Sequence, residues 1–441
     1  MSFERHLITN IVEFNPKRTV KKGTIAPFID MAALPISSRD IDEVIEKVFK
    51  SGGAKFANGD TLFARITPCL ENGKTAKVSG LPINTNAFGS TEFIVMAAKE
   101  PEYDENYIYY LARLPEFRSY AKARMEGTSG RQRVSWQSLA EFEYPYPDKE
   151  NRKLAGNFLR AMDDKITLNT QTNQTLEGMA QAIFKSWFVD FDPVKAKMNG
   201  EQPEGIDAST ASLFPEKLVE SELGLIPEGW QVRSLGDIST FQNGFAFKSK
   251  ELTTDASAGT HKVFKMGNIR KGGGFNWHGS KDHFDLNSTP KLERYLIKKG
   301  DLLMSMTDMK NNVALLGYTA LMPVSDVFLV NQRVGLIRKS EKHYLNYPFL
   351  YYQTNANGFL TDIRSRANSG VQVNLSTAGI KDTLLVVPPK EIHEIFDKQV
   401  RSYLEMMFSN DAQSEELAKL RDLLLPKLLS GEIDLAETTI L

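Results

Sequence analysis

Cysteine is almost absent from this 441-residue chain, in which Cys69 stands alone. A single thiol closes no internal disulfide, and with only six histidines as further soft donors no structural metal is expected. A reducing, cytoplasmic setting fits that count. No stretch approaches the roughly 18 consecutive apolar residues of a membrane span. Met1-Ser2-Phe3-Glu4-Arg5-His6 leads into no apolar run either, so neither insertion nor export is expected. Excess charge of one sign is also missing, with 54 basic against 55 acidic residues. That balance excludes a non-specific nucleic-acid coat and leaves room for a local basic face.

Motifs of catalysis are missing too. Asn72-Gly73-Lys74-Thr75 looks like the end of a phosphate-binding loop, but Pro68 stands where that loop needs a glycine. No Gly-rich dinucleotide fingerprint follows a strand. No Asn-Pro-Pro-aromatic or Asp-Pro-Pro-Tyr tetrapeptide of an amino-methyltransferase occurs, and Pro388-Pro389 runs into Lys390. His393 lacks a helical histidine partner for a zinc-hydrolase pair, and Pro147-Asp148 lacks the downstream acid-x-lysine of a common nuclease core. The chain is expected to have no catalytic centre of its own.

What is present is the composition of a folded protein, 41% hydrophobic and 25% charged. At roughly 100–200 residues per domain the length suggests two to four units. An internal duplication at a spacing of about 240 residues marks paired domains, since solenoid periods are far shorter. Gly59-Asp60-Thr61-Leu62-Phe63-Ala64 matches Gly300-Asp301-Leu302-Leu303-Met304-Ser305, each a tight turn into an apolar strand. Tyr107 to Leu111 matches Tyr347 to Tyr351. Ser129-Gly130, ahead of Leu139 and Pro147, matches Ser369-Gly370, ahead of Ile380 and Pro388; Leu176 to Trp187 lies over Leu417 to Leu428.

Within each half, strand-like runs such as Phe93-Ile94-Val95-Met96 and Val327-Phe328-Leu329-Val330 alternate with Gly, Asn and Pro turns, and then give way to helical spacing. The expected architecture is α+β: a mixed domain over 1–147, a long helix over 148–193, a connector over 194–228, a second mixed domain over 229–388 and a second long helix over 389–435. The first helix has a seam at Leu154, Phe158, Met162, Ile166, Asn169, Asn173, Leu176, Ala180, Ile183 and Trp187. The second has one at Ile392, Phe396, Val400, Leu404, Met407, Leu417, Leu420, Leu424 and Leu428. Alternating steps of three and four are those of a coiled coil, and at 1.5 Å per residue each helix spans about 60 Å, the length of a spacer. Asn169 and Asn173 either fix register as buried amides or face solvent at a bend.

Basic and amide residues recur at matched places. Lys17, Arg18, Lys21 and Lys22 come early, with Arg124, Arg131, Gln132 and Arg133 around Gly130. Lys248, Lys262, Lys265, Arg270 and Lys271 follow in the second half, with Arg364, Arg366 and Gln372 around Gly370. Lys and Arg bind phosphate, while Arg, Gln and Asn pair with base edges. Any one of them alone reads first as a solvated charge; recurrence makes them candidates for DNA contact. Gly272-Gly273-Gly274 is either a hairpin tip or a phosphate cradle. Trp136 and Trp230 read as core or strand-start residues.

Several strings resemble the specificity subunit of Type I restriction-modification systems: Asn243-Gly244-Phe245-Ala246-Phe247-Lys248-Ser249, Ile226-Pro227-Glu228-Gly229-Trp230, Phe184 to Pro193, Leu425 to Ile433, and Gly59 to Pro68. The resemblance implies two target-recognition domains, each reading half of a bipartite, asymmetric site in double-stranded DNA. It implies two helices paired antiparallel, whose length sets the gap between half-sites and on which two modification subunits dock. S-adenosylmethionine, ATP and Mg would then sit on modification and restriction subunits, with no cofactor in this chain and adenine-N6 methylation and ATP-dependent cleavage supplied by the partners. The Asn243-to-Ser249 string has no counterpart in the first half, where Asn15-Pro16-Lys17-Arg18-Thr19 stands instead, so two different half-sites are expected. A scaffold that binds no DNA, and a methyltransferase or nuclease with drifted motifs, are the alternatives.

Overall fold

The structure is a computed structural model that describes residues 4–41, 43–128, 130–256, 259–309, 313–369 and 372–435. Two compact units emerge: residues 1–171 with 410–441, and residues 172–409. Ser129 and Gly370 of the matched Ser-Gly pairs lie outside the described residues. Among those described, no helix is long and apolar enough to cross a membrane.

The first unit has an antiparallel sheet in the order Val12–Phe14, Phe93–Ala98, Thr61–Ala64, Thr75–Lys77. Its second sheet runs Ile45–Val48, Ile25–Ile29, Ala87–Gly89, Ala54–Phe56, with the inner pair parallel. Thr61–Ala64 is buried along its whole length, which explains an apolar run without alternation: covered on both faces, the strand has no solvent side to mark. Helices Pro101–Arg113 and Pro115–Ala123 follow, each opened by a proline, whose fixed φ suits a first turn. Tyr107 to Ala112 are buried there.

The second unit repeats this order by itself. Its main sheet runs Ser239–Asn243, Val334–Lys339, Leu302–Ser305, Thr319–Leu321, all antiparallel. A smaller sheet, His283–Asp285, Thr260–Phe264, Phe328–Val330, again has one parallel pair. Helices Tyr347–Asn355 and Asn357–Ser365 follow. The short helices Trp136–Ala140 and Thr377–Lys381 are capped alike, by the hydroxyls of Ser135 and Ser376. The duplicated Gly-Asp turns agree atom for atom: Gly59 and Gly300 have φ of 92° and 88°. The carboxylates of Asp60 and Asp301 accept the amides of Ala57 and Lys298 at 2.7 and 2.8 Å. Only glycine takes that backbone without strain.

Residues 194–228 are folded. Helices Asp192–Met198 and Ala208–Ser212 and a hairpin of Leu218–Ser221 with Gly224–Pro227 occupy them. Val194, Phe214 and Ile226 are buried in the second unit's core with Trp230. Ring pairs such as Trp187–Phe214 at 5.3 Å replace the turn-rich connector that Pro, Gly and Ser suggested.

The long helices span Lys149–Phe188 and Lys390–Leu429, and each unit holds half of each. In the second unit Phe184, Trp187 and Phe188 pack on Phe396, which is fully buried with Ile392, Val400 and Leu404. Leu176, Ile183 and Met407 are half-buried. In the first unit Met162 and Leu428 are buried, while Phe158, Ile166, Leu417 and Leu424 are half-buried. Leu154 and Leu420 depart from the seam, at 41% and 44% exposed. Their neighbours take the inner places for identifiable reasons. Beside Leu154, Ala155 and Gly156 lie against helix Pro101–Arg113, so closely that a Cβ on Gly156 would stand 2.8 Å from the Tyr107 amide nitrogen; a leucine does not fit. Beside Leu420, Arg421 turns inward to meet Asp163 at 2.5 Å.

The seam asparagines are inside. Asn169 is 2% exposed and its amide donates to the Asn410 carbonyl, Gln413 and Ser414 at 3.3, 2.9 and 3.2 Å. Asn173 donates to the Met407 carbonyl at 3.2 Å. These bonds decide between the two readings, since an amide facing solvent makes neither.

Candidate nucleic-acid interface

In the first unit the residues proposed for DNA contact divide by what holds them. Lys17, Lys21, Lys22 and Arg131 are exposed, and among the described residues no carboxylate pairs with them. Arg18 is tied to Asp60 at 2.5 Å. Burial pushes Asp60 up to about 6, against the pull of Arg18 and the Ala57 amide. Arg133 grips Glu92 with contacts of 2.6 to 2.9 Å, holding that carboxylate below its ordinary range. Gln132 is half-buried, and its backbone is fixed by Thr67 through bonds of 3.0 and 3.1 Å. Arg124 stacks on the Tyr120 ring at 3.4 Å.

Backbone geometry brings Lys17 and Arg18 up to the sheet. Asn15 adopts a left-handed φ of 48° and its side-chain oxygen accepts the Val95 amide at 3.0 Å, which turns the chain so that Lys17 and Arg18 project beside the strand. Two cations join them there, Lys55 and Arg65. Sequence patterning did not single these out as DNA contacts, because Lys55 sits within a short strand and Arg65 just after one, and nothing local marks either as basic-patch residues. Trp136 is no core residue: it opens its short helix, 38% exposed, stacked 6.3 Å from Phe14.

In the second unit Lys248, Arg270, Lys271 and Gln372 are exposed. Arg270 and Lys271 flank the glycine tip, whose three residues have φ of 90° to 98°. A Cβ on Gly273 would press on Asn355 at 2.8 Å, and the Gly274 amide is taken by the Thr319 carbonyl at 2.9 Å. The tip is therefore a packed turn, not an open cradle. Gln372 lies on strand Gln372–Asn374, paired with Thr307–Met309. Others are engaged: Lys265 by Asp282, the exposed Arg366 by Asp362 at 3.1 Å, and Lys262 over the Phe328 ring at 5.8 Å. Arg364 ends a helix; it donates to the Leu316 carbonyl at 3.0 Å and lies over Tyr318 at 4.9 Å. The Asn243-to-Ser249 string turns on Gly244, where a Cβ would meet the Asn331 carbonyl oxygen at 2.0 Å. Phe245 and Phe247 then pack on the smaller sheet's core.

Charge pairs within the cores also escaped sequence reasoning. Asp163, bonded to Arg421, also accepts the Tyr110 hydroxyl at 2.6 Å, and Arg152 meets Asp104 at 2.6 Å with both buried. Among the described residues no group of three or more His, Cys, Asp or Glu is placed to hold a metal ion.

Comparison with known proteins bears on what such a duplicated plan is for. The family model described as Type I restriction modification DNA specificity domain matches residues 227–420. The Type I restriction enzyme HindI specificity subunit of Haemophilus influenzae is 29% identical over 426 residues, 87% of this chain and 88% of that one. Over most of its length the chain is similar to Type I restriction-modification specificity subunits. A second relative among these specificity subunits, MjaIX of Methanocaldococcus jannaschii, is 26% identical over 75% of this chain and 69% of its own. The crystal structure of the Type I restriction-modification S subunit from M. genitalium shares the fold, with a TM-score of 0.56 at 13% identity over 97% of this chain and 96% of that chain.

Proposed function

We infer that this specificity subunit recognises DNA within a Type I restriction-modification assembly and carries no catalytic step itself. The observation that supports this most is the duplicated plan with unlike side chains: one fold occurs twice, with basic residues near matched turns in both copies but different residues at individual matched positions. A repeat that bound one ligand twice would keep the same side chains at matched positions. Here Met306 occupies the place of Arg65, and Arg333 that of Glu92. In this reading the first unit contacts DNA through Lys17, Lys21, Lys22 and Arg131, and the second through Lys248, Arg270, Lys271 and Gln372. Half-buried or paired candidates, Arg18, Arg133, Lys265, Arg364 and Arg366, shape those surfaces. Two modification subunits dock on the long helices, and a restriction subunit joins them; methyl transfer and cleavage take place on those partners.

Co-expression with a Type I modification subunit, followed by purification and a methyl-transfer assay, tests this. Methylation that needs both chains is expected. Methyl transfer, or S-adenosylmethionine binding, by this chain alone would contradict it. A scaffold role predicts no salt-dependent duplex binding, whereas phosphate neutralisation makes affinity fall steeply with salt.

A further inference from the structure

Beside the main sheet of the first unit lies an open depression of about 390 Å³. Its rim is basic: Lys17, Arg18, Lys55 and Arg65 line it, and no carboxylate does; Phe93 and Val95 form an apolar floor. The nearby acids are already paired. Asp60 is bound to Arg18 at 2.5 Å, and Glu92 is gripped by Arg133. Arg65 approaches Glu92 only to 3.8 Å, beyond hydrogen-bond reach, and its Nε is buried without a hydrogen-bond partner among the described residues. The walls are stiff. A Cβ on Gly53 would stand 2.4 Å from the Gly89 carbonyl oxygen, so the strand bearing Lys55 is pinned to its neighbour. The Asn15 turn fixes the segment bearing Lys17.

We propose that this depression grips a backbone phosphate of duplex DNA through Lys17, Lys55 and Arg65. It positions the first unit on the duplex without reading sequence. The proposal rests on the DNA-binding reading above and assigns one contact within it. Cations around an open hollow suit a phosphodiester, whose charge is fixed and whose free oxygens accept several donors, and backbone contacts of this kind set register while carrying no base information. The matched place in the second unit has Met306, 8% exposed, where Arg65 stands, so the grip belongs to the first unit alone.

The test is binding of the full chain to a fluorescein-labelled duplex pool of randomised sequence, measured across salt concentrations. The arms are wild type, the double variant Lys17→Ala/Lys55→Ala, Arg65→Gln, and Lys250→Ala as a control for lost surface charge. Lys17 and Lys55 make no ion pair among the described residues, so the double variant is expected to unfold at the wild-type temperature. Its slope of log affinity against log salt is expected to be shallower by about 1, the loss of one phosphate contact, and that of Arg65→Gln shallower by up to about 1. Sequences selected from the pool are expected to be unchanged. Slopes equal to that of Lys250→Ala would overturn the phosphate grip while leaving DNA binding intact. A changed selected sequence would overturn it in favour of base reading, and a wild-type chain that binds no duplex would overturn both.

Discussion

At the scale of single residues, the sharpest features are charges placed where water is absent. Asp163 and Arg421 meet with side chains 5% and 9% exposed, and Tyr110 adds a hydroxyl donor. Such a pair contributes little net stability, because desolvating two ions offsets their attraction, but breaking it strands one of them. Arg421→Ala is therefore expected to lower the first unit's stability by about 3–5 kcal/mol, and Asp163→Leu with Arg421→Met together by far less; denaturant titration of the three chains compares them. His393 behaves differently. It is 2% exposed, with Nδ1 unpartnered among the described residues and the rings of Tyr344 and Phe349 each at 5.8 Å. Burial holds it down to about 4, despite Asp397 and Glu394 and together with His343 and Arg401. An unfolded histidine titrates near 6.5, so the unfolded chain binds a proton that the folded one refuses. This contribution is whole above pH ~6.5 and is lost as pH falls toward 4, by at most about 3 kcal/mol. His393→Leu is expected to flatten the melting temperature of the second unit between pH 7 and pH 5; an unchanged slope would show that other groups carry it. None of these partnerships was legible in the sequence. A carboxylate and a guanidinium far apart along the chain look like any two surface charges until the fold brings them together.

At the scale of elements, much was legible, and the failures are instructive. The Gly-Asp turns, the buried strands and both long helices follow from local pattern, because turn chemistry and periodicity act over a few residues. The seam failed at Leu420 because Arg421 turns inward to Asp163, and at Leu154 because a heptad assumes that the helix meets only one other helix. In the first unit it also meets helix Pro101–Arg113, and small residues are needed there. Two glycines in one helix separate these effects. Gly156→Val is expected to destabilise by about 1–3 kcal/mol, since its Cβ would press on backbone. Gly178→Ala, with nothing within 4 Å of the added carbon, is expected to stabilise by about 1 kcal/mol through helix propensity. Thermal melts of both distinguish packing from propensity. Residues 194–228 were misread for a related reason: proline, glycine and serine announce turns, but Phe214, Ile226 and Trp230 decide that the turns are packed.

At the scale of the whole molecule, the duplication organises everything else. Two units of one topology, each with half of each long helix, account for matched turns, matched caps and matched strand orders. On the proposed reading, unlike exposed residues on the two copies would let one subunit read an asymmetric site. The class of function was legible because its motifs lie in the shared frame, which has to keep its packing. Which basic residues are free to make contacts was not legible, since a basic side chain is informative only once its partners are known: Arg133, Lys265 and Arg364 look as free in sequence as Lys17 and Lys271. The most direct measurement is a genome-wide map of methylated bases in cells that express this chain with a Type I modification subunit and no other such system. Two different short half-sequences separated by a fixed gap are expected. A palindrome, or one uninterrupted sequence, would contradict the account of two units that share a fold but not a target.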